Sequence, residues 1–186
     1  MTMKRIILLG FLFAMCSISY AQGIFADEVT SDGVRLITGD PVLVSDITDD
    51  AELLVSLCYS DYEGISTYGI AVTPAFKSGF SVKKGMRLLL KDKDSNVVEL
   101  RAMGDAYSLL QTDDAFNYRY ILNAFYEVSE ETLSYLCDGI IKMRLEYNGG
   151  VYDKEWREDK MGEVLKKECN AIKHKVKIEK DFYSDF

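Results

Sequence analysis

Histidine is almost absent from this chain: His174 is the only one. A Ser-His-Asp triad would have to use it, and no G-x-S-x-G turn exists to present a serine. A metal site built on several imidazoles is excluded by count. The thiol nearest in sequence to His174 is Cys169, within "KKECNAIKHKVK" (residues 166–177). At about 100° per helical residue, five positions set the two side chains about 140° apart around the axis. A Cys-His dyad needs contact near 3 Å, so this pair cannot form one within a helix. Cys169 is expected on the apolar stripe, and His174 among Lys173, Lys175 and Lys177 on the wet side.

Long apolar runs are equally scarce, and the one present is N-terminal. Lys4 and Arg5 precede "IILLGFLFAM" (residues 6–15), with the small residues Ser19 and Ala21 just ahead of Gln22. That is the layout of a secretory signal peptide over residues 1–21. Ten apolar residues span only about 15 Å as a helix, half a bilayer core, and no later stretch reaches the roughly 18 needed to cross. Export to the periplasm or the extracellular space is the expectation. Acylation at Cys16 is the alternative, opposed by Met15 where a small residue is wanted. Residues 22–186 then form one domain, long enough for a substantial core.

Cysteine is sparse too. Cys58, Cys137 and Cys169 remain after cleavage, an odd number at spacings that contain no CxxC or Cys/His zinc pattern. Three buried thiols are expected; one disulfide plus a free thiol is the alternative.

Positive charge is in deficit. Without Lys4 and Arg5 the chain carries 20 Lys and Arg against 30 Asp and Glu, a net charge of −10. An acidic surface repels phosphate backbones, which argues against nucleic acid as a partner. Residues 160–180 reverse the sign, with seven lysines against Glu163, Glu168 and Glu179. A basic amphipathic helix could meet an anionic surface. The simpler expectation is that these lysines complement the acidic body of the same protein and the helix dipole.

Most of what is present alternates with period two. In "GIIKMRLEYNGGVYDKEW", Ile141, Met143, Leu145 and Tyr147 share one face and Lys142, Arg144 and Glu146 the other. Asn148-Gly149-Gly150 then reverses the chain into a second strand over residues 151–156. A second hairpin is expected around the polar turn Asp92 to Asn96. "ELLVSLCY", "TYGIAVTP" and "NYRYILNAFYEV" add further strands, the second of these ending at Pro74. Gly39-Asp40-Pro41 interrupts an early strand near Val34 to Val44. About seven strands with polar turns predict an antiparallel β-sandwich or barrel-like sheet.

Two helices break this rhythm. Near 129–138, Ser129 suits the N-cap, and Val128 with Leu133 has the spacing of a hydrophobic staple. Leu133, Leu136, Cys137 and Ile140 form a stripe that Gly139 is placed to end. Near 159–178, Met161, Leu165, Cys169, Ile172 and Val176 recur in steps of four, four, three and four. Gly162 weakens the first turn by about 1 kcal/mol relative to alanine.

Little of this is chemistry. Asp92-Lys93-Asp94-Ser95-Asn96 opens like a calcium loop, but Val97 stands where glycine is needed and Met103 where a bidentate glutamate belongs. Asp46, Asp49 and Asp50 make a small acidic cluster that reads as a solvated loop. Tyr59, Tyr62 and Tyr68 surround the turn "SDYEGIST" and are the candidate ligand-binding residues, because tyrosine offers flat amphipathic surface to sugars and proteins; the simpler expectation is that they pack as ordinary strand residues. No catalytic residue, metal ligand or cofactor is assigned. The expected function is a non-enzymatic binding or interaction module for a protein or polysaccharide. The alternatives are a carbohydrate-active hydrolase using two carboxylates, and a structural subunit of an envelope assembly.

Overall fold

The computed structural model describes residues 23–45, 51–112 and 118–184, with side chains to Ile178. The leader and the cluster at Asp46, Asp49 and Asp50 lie outside these residues.

The spine is a long hairpin. β4 (Glu52–Tyr62) pairs in register with β5 (Ile65–Phe76) from Glu52↔Ala75 to Tyr62↔Ile65. The two-residue turn needs left-handed backbone at both positions, Glu63 (φ 52°) and Gly64 (φ 81°). The Asp61 carboxylate steadies it by accepting from the Gly64 N–H at 3.2 Å. Each edge of this hairpin carries two shorter strands in succession. On the β4 side, β2 (Arg35–Gly39) and then β3 (Val42–Leu43) pair antiparallel, with β1 (Ile24–Val29) outside β2. On the β5 side sit β12 (Ala124–Val128) and β11 (Tyr118–Ile121), with β10 (Leu109–Thr112) outermost. Between these, β6 (Ser81–Val82) pairs β9 (Ala106–Tyr107), and a four-stranded sheet runs β14-β13-β7-β8. Its members are β7 (Arg87–Lys91), β8 (Val97–Arg101), β13 (Lys142–Tyr147) and β14 (Gly150–Glu155). The fold is thus mainly β, a curled antiparallel sheet forming a half-barrel with a C-terminal helix.

Several sequence expectations shift in detail. Fourteen described strands replace about seven, because short pairings such as β6–β9 carry no periodic signal over two residues. The strand expected to end at Pro74 continues to Phe76. Pro74 lies opposite Leu53, whose own N–H bonds the Ser45 hydroxyl at 3.0 Å on the far side. Pro74 therefore has no N–H to supply toward β4, and its other edge falls where β12 stops at Val72 and β11 begins at Ala75. Tyr118, Tyr120, Phe125 and Tyr126 do not share one strand, since the chain breaks at Leu122-Asn123 between β11 and β12.

The concave face is the core. Ile37, Leu53, Val55, Leu57, Ile70 and Val72 point inward and meet Leu88, Leu90, Met143 and Leu145 of the second sheet. The convex face carries a smaller cluster of Val34, Leu36, Cys58, Ala71 and Phe125. This division follows from the two-residue side-chain period, which sends Leu57 inward and Cys58 outward.

Helix α1 (Glu130–Leu136) is capped by Ser129, whose hydroxyl accepts from the Thr132 N–H at 3.1 Å. Helix α2 (Met161–Ser184) starts two residues later than expected and runs six further. Asp159 acts as its cap, accepting from the Gly162 N–H at 2.7 Å. The glycine at 162 has a reason the sequence hid: a Cβ there would lie 2.9 Å from the Leu136 carbonyl oxygen, so α1 and α2 meet without a side chain between. α2 lays Met161, Leu165, Cys169 and Ile172 against β4 and α1, closing the open side of the half-barrel. No described helix is long and apolar enough to cross a membrane.

Candidate functional site

The Gly39-Asp40-Pro41 interruption creates the most unusual local chemistry in the molecule. β2 pairs with β4 as far as Thr38↔Cys58, and β3 resumes at Val42↔Val55. Between them the ladder is open, and the Leu57 N–H has no strand partner on that edge. Its partner comes instead from the helix: Glu168 Oε2 accepts from the Leu57 N–H at 2.5 Å. Gly39 makes this possible, because a Cβ at that position would fall within the Glu168 carboxyl group.

Glu168 is 1% exposed, and its second oxygen, Oε1, is buried without a hydrogen-bond partner. Burial pushes its carboxyl up to about 8, and the Asp40 charge adds to this, while the Leu57 N–H and Lys167 pull the other way. At neutral pH the group is therefore mostly the neutral acid, holding a proton that it can donate.

Beside Glu168 lies a cavity of about 280 Å³ between α2 and the β1–β3 edge. Its apolar wall is Val42, Leu43, Val44 and Val164; Lys160, Glu163 and Lys167 from the helix side and Asp40 from the strand side supply its polar groups. The mixture suits a small, net-neutral polar ligand, at the low end of the size range of small-molecule sites. A second hollow, on the convex face between Phe25 and Phe125, has only about 90 Å³.

The residues singled out from sequence fall elsewhere. Tyr59 and Tyr68 are cross-strand partners with ring centroids 5.3 Å apart, and both are buried on the concave face. The Tyr59 hydroxyl is engaged by Asp61 at 3.0 Å and Ser66 at 2.9 Å. Tyr62 packs against the convex cluster instead. The three tyrosines expected to form one ligand surface are thus divided between two faces, and two of them are core. An odd spacing along one strand (59 to 62) decided this, and the alternation of the sheet makes it unavoidable.

Cys169 lies in the core at 6% exposure, and His174 is exposed on the outer side of the helix, as helical spacing required. The lysines of α2 meet the acidic body: Lys173 bonds Glu130 and Lys175 bonds Asp27, each at 2.6 Å. Asp92, first of the calcium-like run, closes its own hairpin. Its carboxylate accepts from the Asn96 backbone N–H at 2.8 Å, from the Asn96 side chain at 2.9 Å and from the Tyr135 hydroxyl. Among the described residues no group of three or more His, Cys, Asp or Glu side chains is gathered as a metal set.

Glu168 itself went unnoticed in the sequence, counted with the surface charges of a lysine-rich helix. The signal was present. It follows Leu165 by three and precedes Ile172 by four, which places it inside the apolar stripe. Nothing among protein-family models, curated proteins or solved structures matches this chain.

Proposed function

We propose that this chain is an exported binding module whose ligand enters the cavity beside Glu168. The observation that carries the reading is a cavity of about 280 Å³ with Glu168 among its lining residues, one oxygen of whose carboxyl is buried and unpartnered behind that wall. Leaving such a group unpaired costs roughly 1–3 kcal/mol, a cost that a ligand hydroxyl would offset once a shift of α2 opened that oxygen to the cavity. A cavity of this size accommodates about one sugar ring, and its paired charges favour a neutral polyhydroxylated ligand over an ion. The terminal unit of an envelope or dietary polysaccharide has that chemistry. Export rests on the N-terminal sequence, and Edman sequencing of the protein recovered outside the inner membrane should begin at Gln22.

The binding test is an NMR titration of the labelled protein with a panel of mono- and oligosaccharides. Shifts should centre on Asp40, Val44, Val164 and Glu168 and should weaken in Glu168→Leu. Saturable shifts centred on Phe25 and Phe125 would move the site to the convex face, and no shift with any sugar would end the carbohydrate reading.

Hydrolysis is the second reading, favoured by one observation: a carboxyl neutral near pH 7 beside the Asp40 carboxylate resembles an acid and its partner. Against it, Glu168 is enclosed and held on the Leu57 N–H, so it reaches a glycosidic oxygen only if the helix moves. Reducing-sugar release that Glu168→Gln abolishes would decide for the enzyme.

A further inference from the structure

A second cluster of reactive groups lies one residue away from Glu168 but faces the other helix. Cys137 ends α1, half-buried, and Cys169 belongs to the core stripe of α2. Their sulfurs are neighbours where the two helices meet, and Cys137 packs against the same apolar cluster that holds Cys169. The Lys173–Glu130 ion pair ties the same two helices alongside them. Cys58 is separated from both by the sheet: it is fully buried on the convex face, beside Ala71 and Phe125. The parity problem posed by three cysteines is therefore solved by geometry, since only one of the three possible pairs can close without unfolding the sheet.

We propose that Cys137 and Cys169 are a redox-active dithiol that closes to a disulfide by exchange with a low-molecular-weight disulfide, while Cys58 stays a free thiol. The proton of the more accessible Cys137, held tightly by its Cys169 neighbour and by burial, passes to the Cys169 sulfur as the Cys137 sulfur attacks the external disulfide, releasing one thiolate. Cys169 Sγ then attacks Cys137 Sγ, forming the protein S–S bond and expelling the second thiolate. Two protein thiols are oxidised by two electrons, one external disulfide is reduced to two thiols, and the protons balance. The second step is favoured by the proximity of the two sulfurs and by Lys173, whose charge favours the Cys169 thiolate. Closure staples α1, and through it the start of β13, to the long helix.

The test uses the purified folded protein equilibrated with oxidised glutathione, then acid-quenched, unfolded, alkylated without reduction and peptide-mapped. The expected result is a cross-linked peptide joining Cys137 to Cys169, with Cys58 carrying the alkyl label. The closed form should melt several degrees above the reduced one. Alkylation of both Cys137 and Cys169, a glutathione adduct persisting on Cys137, or a bond to Cys58 would each overturn the proposal. Cys58→Ser should close to the same extent as the parent, and oxidation carried out in denaturant should scramble the pairing.

Discussion

Replacing Glu168 with glutamine separates the neutral acid from the carboxylate with little change of shape. In the unfolded chain this carboxyl ionises near 4.5, and in the folded protein near 8. Between those values the native state keeps a proton that the unfolded chain has released. Its contribution to stability is complete below pH 4.5 and is lost as pH rises through 8. At about 1.4 kcal/mol per pH unit, the gap corresponds to roughly 5 kcal/mol from end to end. Glutamine never ionises, and its amide oxygen can still accept from the Leu57 N–H. The stability of the parent minus that of Glu168→Gln should therefore fall by about 1.4 kcal/mol per pH unit between pH 5 and pH 8. All other titrating groups cancel in this difference. Urea unfolding at four pH values, read by the fluorescence of Trp156, the only tryptophan and itself 4% exposed, measures it directly. A difference constant to within about 0.5 kcal/mol would mean that Glu168 is charged or solvated in the fold, and the case for a neutral acid at the cavity would fail.

Other sites test neighbouring parts of the reasoning. Gly39→Ala should destabilise by about 1–3 kcal/mol by overpacking against the Glu168 carboxyl, and much of the loss should vanish in a Glu168→Ala background; additive losses in a double-mutant cycle would show that the two do not touch. Trp156→Phe removes the indole N–H that donates to the Val44 carbonyl at 2.6 Å, so chemical denaturation should show a loss of at least about 1 kcal/mol. Tyr126 is fully buried with an unpartnered hydroxyl, and Tyr126→Phe should leave the melting temperature unchanged or raise it. His174→Ala should alter neither stability nor the rate at which Cys169 reacts with a thiol reagent, because the exposed ring and the buried sulfur face different sides of the helix.

What the sequence determined by itself was local and periodic. Alternation fixed the β13–β14 hairpin and sent Met143 and Leu145 inward, Ser129 marked the start of α1, and steps of four and three placed Cys169 in the core with His174 outside it. These outcomes depend on residues within one or two turns of each other, and backbone geometry alone relates them. Tertiary structure decided the rest. Only the meeting of α2 with the gap between β2 and β3, residues more than a hundred positions apart, turned a glutamate in a lysine-rich helix into a buried acid and gave Gly39 its purpose. Only the curvature of the sheet put Tyr59 and Tyr68 inside, placed Cys58 across the sheet from the other two thiols, and brought Cys137 to Cys169. Burial and pairing are set by what the chain folds against, and no window of neighbouring residues contains that partner.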